Sequence, residues 1–326
     1  MTTAWVIGSG GLLGTSIVQA LRSRSGWTSL EESRLPWADD DAFGAAVSAN
    51  MDRLLERAEQ DDGTWAVFWA AGAAVTASTV AQLEHELGQL QLVVTEIERC
   101  VQARGLGHLG SLFYSSSVGG IYGGSTNPPF TEQTNPNPLS PYGRYKLKAE
   151  RAVAELSSSG VRVLNGRIAN LYGPGQRLDK MQGLISQLAR AQYSPSPASI
   201  YVSLETVRDY IYVSDCAELI CDAMQRLSEE PAGSRRTKIL ASGQGTTIAT
   251  LLGHFRTLAK GHPHVMLGSS PSASMQAHDL RVLSTTWADL DERELTPLPA
   301  GIRATMEDIV LRLQAPSLQA SSLHAP

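Results

Sequence analysis

Short apolar runs alternate along the chain with stretches in which apolar residues recur every three or four positions. Ala4 to Ile7 is one such run. It ends in Gly8, Gly10, Gly11 and Gly14, and Ile17 to Leu21 then continue at helical spacing. Trp65 to Ala71 is apolar without alternation, the pattern of a strand covered on both faces of a parallel sheet. Leu83, Leu87, Leu90, Val94 and Ile97 predict a helix after it. Leu112 to Ser115 reads as the next strand, Lys146 to Leu156 as a helix and Val161 to Leu164 as a further strand. Strands and helices alternating in this way imply an α/β fold on a doubly wound parallel sheet.

Past Gly173 the punctuation changes. Ser194 to Pro197 is turn-rich, Ile200 to Val202 and Tyr210 to Val213 read as strands, and Ala217 to Leu227 and Ile248 to Leu258 as helices. The expected organisation is a Rossmann unit over 1–170 and a smaller lobe, mainly for substrate, over 171–313 that crosses back to the sheet at least once. The polar, aperiodic residues 314–326 read as a disordered tail.

Gly8, Gly11 and Gly14 form GxxGxxG between the first strand and its helix. Glycine there permits a tight turn, close approach of the backbone to a pyrophosphate and close helix packing. The helix start at Leu12 and Leu13 offers N–H groups to phosphates. A glycine-rich turn after any strand looks similar, so its position between strand and helix carries the weight. An acidic residue usually holds the ribose at the end of the second strand. Counting seven residues from Gly26, as the family resemblance given below implies, places Ser33 there, with Arg34 next. A hydroxyl and a guanidinium suit a 2′-phosphate, which favours NADP over NAD. Glu31 or Glu32 at the ribose would reverse that preference.

Tyr142 and Lys146 form YxxxK at the start of a helical pattern, and the four-residue spacing puts both on one face. An ammonium beside a phenol favours the phenolate, so Lys146 is expected to lower the tyrosine's pKa toward a range useful for acid–base work. A lone YxxxK is common on exposed helix faces. Tyr145 cannot take the same role, because its i+4 neighbour is Ala149. Ser117, 25 residues before Tyr142, ends a strand in a run of hydroxyls and can share a substrate C–O group with the tyrosine. Ser115 and Ser116 read as strand-end residues that bond backbone.

GSGGLLG, WAAG, YSSSVGGIYGG, SPYGRYKLKAE, GRIANLYGPGQ and RDYIYVSD occur in that order. With them the chain resembles the extended short-chain dehydrogenase/reductases, in the branch of the NAD-dependent nucleotide-sugar epimerases, dehydratases and reductases. The resemblance runs from Thr3 to about Leu227 and is fainter beyond. It implies a Rossmann domain with a C-terminal substrate lobe, a nicotinamide cofactor, a nucleotide-sugar substrate and a homodimer built on two helices per subunit. It makes Ser117, Tyr142 and Lys146 the catalytic triad, with Lys146 also at the nicotinamide ribose. By the same resemblance Ala70, Ala71 and Gly72 are the small residues that let the cofactor lie against the fourth strand. Asn170 is implied as a substrate contact and Arg208 as the arginine on the nucleotide diphosphate. An ion pair from Arg208 to Asp209 or Asp215 is the alternative. Arg167 reads as structural.

Departures from the family pattern narrow the chemistry. The 4,6-dehydratases carry an Asp–Glu pair after the catalytic hydroxyl, where this chain has Val118 and Gly119. Elimination therefore lacks its carboxylates. The Asn common in the helix before the active-site strand is replaced near His85, and no residue of Pro36 to Asp41 stands out as an adenine contact.

A formal net charge of −5 and the lack of any Lys/Arg run argue against nucleic acid as a partner. Cys100, Cys216 and Cys221 form no CxxC and read as core thiols of a reducing compartment. Met1 to Ile7 resembles no signal peptide, and no run reaches the about 18 apolar residues of a membrane span, so a cytoplasmic enzyme is expected. His262 and His264 suggest no third ligand, so no metal is expected. A ketoreductase and an epimerase that recycles NAD both survive the missing carboxylates, with the reductase favoured by Ser33 and Arg34. A non-catalytic dinucleotide sensor is the reading from another class.

Overall fold

A computed structural model describes residues 1–31, 35–75, 77–177, 183–259, 264–268 and 277–314. Six parallel strands form the main sheet in the order β2-β1-β3-β4-β5-β9. They are β1 (Thr2–Ile7), β2 (Trp27–Ser29), β3 (Thr64–Trp69), β4 (Gly110–Ser117), β5 (Arg162–Ile168) and β9 (Arg235–Leu240). Both faces are covered. Trp5, Ile7, Val67 and Trp69 point into one apolar cluster, against α2 (Asp40–Gln60), α3 (Val80–Arg104) and α5 (Pro141–Ala154). Ala4, Val6, Ala66 and Phe68 point into the other, against α1 (Leu12–Arg22) and α7 (Val213–Ser228). That two-sided burial is why β1 and β3 read as unbroken apolar runs.

The chain steps from β1 out to β2 and then returns to the other side of β1 with β3. The strand order therefore reverses between β1 and β3, the place where open α/β sheets bind ligands. The turn after β1 and the segment after β3 both lie there. No strand forms among the described residues between β2 and α2, so Ala70 to Gly72 follow the third strand of the chain rather than a fourth. Asp39 instead caps α2, accepting from the Ala42 N–H at 3.0 Å. That helix was not anticipated, although Phe43, Val47, Met51, Leu54 and Ala58 all face the core at helical spacing.

From Ala169 the chain leaves the main sheet for a small one ordered β10-β8-β6. It comprises β6 (Asn170–Tyr172), β8 (Val207–Tyr212) and β10 (Gly245–Thr247). A short parallel pair, β7 (Ala198–Ile200) and β11 (Val265–Leu267), lies near α6 (Leu184–Ala191). With α8 (Ile248–Ala259) and α9 (Leu298–Gln314) these elements share a third core that includes Tyr172, Leu188, Leu251 and Ile302. The reading of Ile200 to Val202 as a strand sits two residues late, and Val213 opens α7 rather than ending β8. No helix among the described residues is long and apolar enough to cross a membrane.

Candidate active site

The turn after β1 shows why three glycines are needed. Gly8 has φ +90°, and a Cβ on it would meet the Ala71 backbone nitrogen at 2.6 Å. A Cβ on Gly14 would meet the Gly8 carbonyl oxygen at 2.1 Å. Gly11 is the N-cap residue of α1 and supplies no side chain to its N–H groups, and with Leu12, Leu13, Ala70, Ala71 and Gly72 it lines a cavity of about 490 Å³. A bare backbone turn and an uncapped helix start against a cavity fit a dinucleotide pyrophosphate. A second cavity of about 350 Å³ beside the turn is lined by Ser9, Arg22, Ser29 and Glu31, among others. The Ser29 hydroxyl oxygen is buried there without a hydrogen-bond partner. Ser33, Arg34 and Glu32, the residues read as selectors of NADP or NAD, lie outside the described residues.

Ser117, Tyr142 and Lys146 line the same large cavity. Ser117 ends β4 and caps the short helix α4 (Val118–Tyr122), accepting from the Gly120 N–H at 3.2 Å. Ser140 caps α5, accepting from the Gly143 N–H at 3.1 Å, and Pro141 sets the first turn that carries Tyr142. A Cβ on Gly143 would lie 2.1 Å from the Gly120 carbonyl oxygen, so glycine is what lets α5 approach α4 and bring Tyr142 beside Ser117.

Burial pushes the Tyr142 phenol up to about 12, while the Ser117 hydroxyl beside it works the other way. The expected lowering by Lys146 is not met. The ammonium Nζ stands 5.8 Å from the Tyr142 ring centroid and donates instead to the Ser115 carbonyl at 3.0 Å and to the Tyr114 hydroxyl at 3.3 Å. Burial also brings Lys146 down to about 8, against the opposing pull of Glu86 and Glu150. Ser116 differs from its reading too, because its hydroxyl donates to the Glu150 carboxylate at 2.6 Å rather than to backbone. Glu150 is gripped by Arg167 through Nε at 3.0 Å and Nη2 at 2.8 Å, and Arg167 Nη1 donates to the Tyr122 hydroxyl at 2.6 Å.

Asn170 and Arg208 line the cavity from β6 and β8. Asn170 donates to the Asp209 carbonyl at 2.8 Å. Arg208 is buried and donates to the Val207 carbonyl at 2.9 Å, and burial lowers its pKa. The Asp209 carboxylate accepts from Ser242, and Asp215 from Thr296, so both acids weighed as partners of Arg208 are engaged elsewhere. Burial raises Asp209 to about 6. Among the described lining residues there is no Asp or Glu. Gly119 is at the wall and Val118 in the core, so the described residues of the wall carry no carboxylate for an elimination.

Several wall residues escaped the sequence reading. Arg177 adds a cation to a wall that already has Lys146 and Arg208, and Tyr210 adds a ring. His85 is exposed, whereas its neighbour Glu86 is buried behind the wall. Glu86 falls on the Leu83–Leu90 stripe, and a carboxylate on an apolar stripe was the available signal. All three cysteines are buried and free.

A glycine turn at the switch point of a parallel sheet, with Ser, Tyr and Lys on the adjoining strand and helix, is the arrangement of a short-chain dehydrogenase/reductase fold. The model of the NAD dependent epimerase/dehydratase family matches residues 4–235, and the chain belongs to that family. Escherichia coli dTDP-4-dehydro-6-deoxyglucose reductase is 32% identical over 145 residues, 43% of each chain. The chain matches half or less of the length of such curated relatives. UDP-glucose 4-epimerase from Thermotoga maritima, solved with UDP-glucose, superposes with a TM-score of 0.75 at 20% identity, over 96% of this chain and 100% of that one. RMD from Pseudomonas aeruginosa, complexed with NADPH, gives a TM-score of 0.74 at 21% identity over the same shares. At these identities the two structures speak for the fold.

Proposed function

We propose that the protein is a nicotinamide-dependent oxidoreductase of a nucleotide-linked sugar, and that it reduces a keto group. The convergence of Ser117, Tyr142 and Lys146 on the cavity that also meets the Gly11 turn carries this reading. Gly8, Gly11, Gly14 and the Ala70–Gly72 segment would hold the dinucleotide, with Lys146 at its ribose. The bound cofactor supplies or accepts hydride. Tyr142, kept neutral by burial, is set to donate a proton to the oxygen of the new alcohol, and Ser117 to hold that oxygen. Arg208, with Arg177, supplies cations for a diphosphate in a chain of net charge −5. Residues 1–170 would serve the cofactor and 171–313 mainly the substrate.

A neutral phenol suits reduction, and the reductase among the curated relatives agrees. An epimerase that keeps its NAD uses the same three residues and is the second reading, favoured by the fold's likeness to the Thermotoga epimerase. Denaturing the purified protein and identifying any released dinucleotide separates them. An exchangeable site preferring NADPH supports the reductase, tightly retained NAD supports the epimerase, and binding of neither overturns both. Homodimerisation through two helices per subunit belongs to the same proposal, with light scattering as its test.

A further inference from the structure

Glu86 projects from the apolar face of α3 and divides its carboxylate between two elements. Oε2 accepts the N–H groups of Ala73 and Ala74, each at 2.9 Å, in the segment after β3 that walls the cavity. Oε1 accepts the Tyr145 hydroxyl at 2.6 Å. The Tyr145 hydroxyl interacts in turn with that of Tyr114, whose oxygen accepts from Lys146 Nζ at 3.3 Å. The two neighbouring hydroxyls of Tyr114 and Tyr145 therefore lie between a buried ammonium and a buried carboxylate. Polar groups between opposite charges are polarised by both in a medium of low dielectric. The rings reinforce this, since Nζ stands 5.1 Å from the Tyr114 centroid and 5.3 Å from that of Tyr145.

We propose that Glu86 is a positioning residue for Lys146: through Tyr145 and Tyr114 it keeps the lysine charged and in place, and through Ala73 and Ala74 it couples that setting to the cofactor wall. The proposal rests on the assignment of Lys146 to the chemistry. The groups facing Lys146 are Glu86 from α3, Tyr114 and the Ser115 carbonyl from β4, and Tyr142, Tyr145 and Glu150 from α5. Of the two carboxylates, Glu150 already has Arg167 from β5 as its cation. Glu86 is paired with no Lys or Arg side chain among the described residues. Its effect is the larger of the two that oppose the burial of Lys146.

The test is an NMR titration of protein carrying ¹³C-labelled lysine, with Lys146→Arg to assign the signal. Wild-type Lys146 should titrate near 8. Glu86→Gln should move the midpoint down by at least half a pH unit, and Tyr145→Phe, which keeps the carboxylate and removes the Tyr145 hydroxyl, by a smaller step. The basic limb of kcat/KM should follow, because activity is lost as pH rises through the lysine's pKa. An unmoved midpoint in Glu86→Gln overturns the proposal, and one that moves there but not in Tyr145→Phe overturns the tyrosine route. Should Glu86→Gln fail to fold, Tyr145→Phe decides alone. The titration needs no substrate, so a protein that turned over no nucleotide sugar would refute the proposed function and leave this result standing.

Discussion

The β4–α5 wall of the cavity and the β6–β8 wall of the same cavity hold their polar groups in different ways. On the first, charged side chains are buried against one another: Lys146 leads to Glu86 through two tyrosines, and Arg167 grips Glu150 with two bonds. On the second, Asn170 and Arg208 donate to backbone carbonyls, and Asp209 turns away to Ser242. A network of buried charges fixes positions closely and is costly to break on one side. Arg208 is held by carbonyls, with the Asp279 charge also acting on it. On the proposed function, the first wall holds the reacting groups and the second recognises the substrate.

The sharpest way to break that contrast is Tyr142→Phe. It should lower kcat by about 10² to 10⁴, the usual worth of a positioned proton donor, while the Kd for NADPH by fluorescence changes little. Turnover like wild type would move the chemistry elsewhere and favour a dinucleotide sensor. Arg167→Met strands the Glu150 charge and should cost about 3–5 kcal/mol of stability in urea unfolding. Adding Glu150→Leu should restore most of it, and a pair of little worth would show no such recovery. On the opposite wall Arg208→Ala should raise KM for a nucleotide sugar about 10- to 100-fold, the loss of a charged hydrogen bond, and leave cofactor binding alone. Equal effects on both ligands would remove the division between the walls. The smallest change is Ser140→Ala, which takes the cap from α5 and should cost about 1 kcal/mol in thermal melts.

The same two walls differ in how well the sequence exposes them. Tyr142 and Lys146 are legible because four residues make one helical turn, so their common face follows from local geometry. Ser117 is legible because a strand ending in hydroxyls is a local pattern too. The link from Lys146 to Glu86 is not, since those residues are 60 positions apart on helices that meet only through packing. Tyr145 was set aside because its own i+4 neighbour is Ala149, yet its partner comes from another helix altogether. The raised pKa of Tyr142 is hidden from the sequence for a related reason. Spacing announces the nearby ammonium but not the burial, and burial is the larger effect.

The sequence by itself determined the alternation of buried strands and amphipathic helices, the glycine turn and the hydroxyl–tyrosine–lysine set. Each is a matter of period, turn or helical face within a short stretch of chain. Tertiary structure alone decided that α2 follows β2 with no described strand between, that Glu86 rather than His85 backs α5, and that Asp209 bonds to Ser242. Those outcomes depend on which surfaces meet and how much water they exclude, quantities that no local spacing carries.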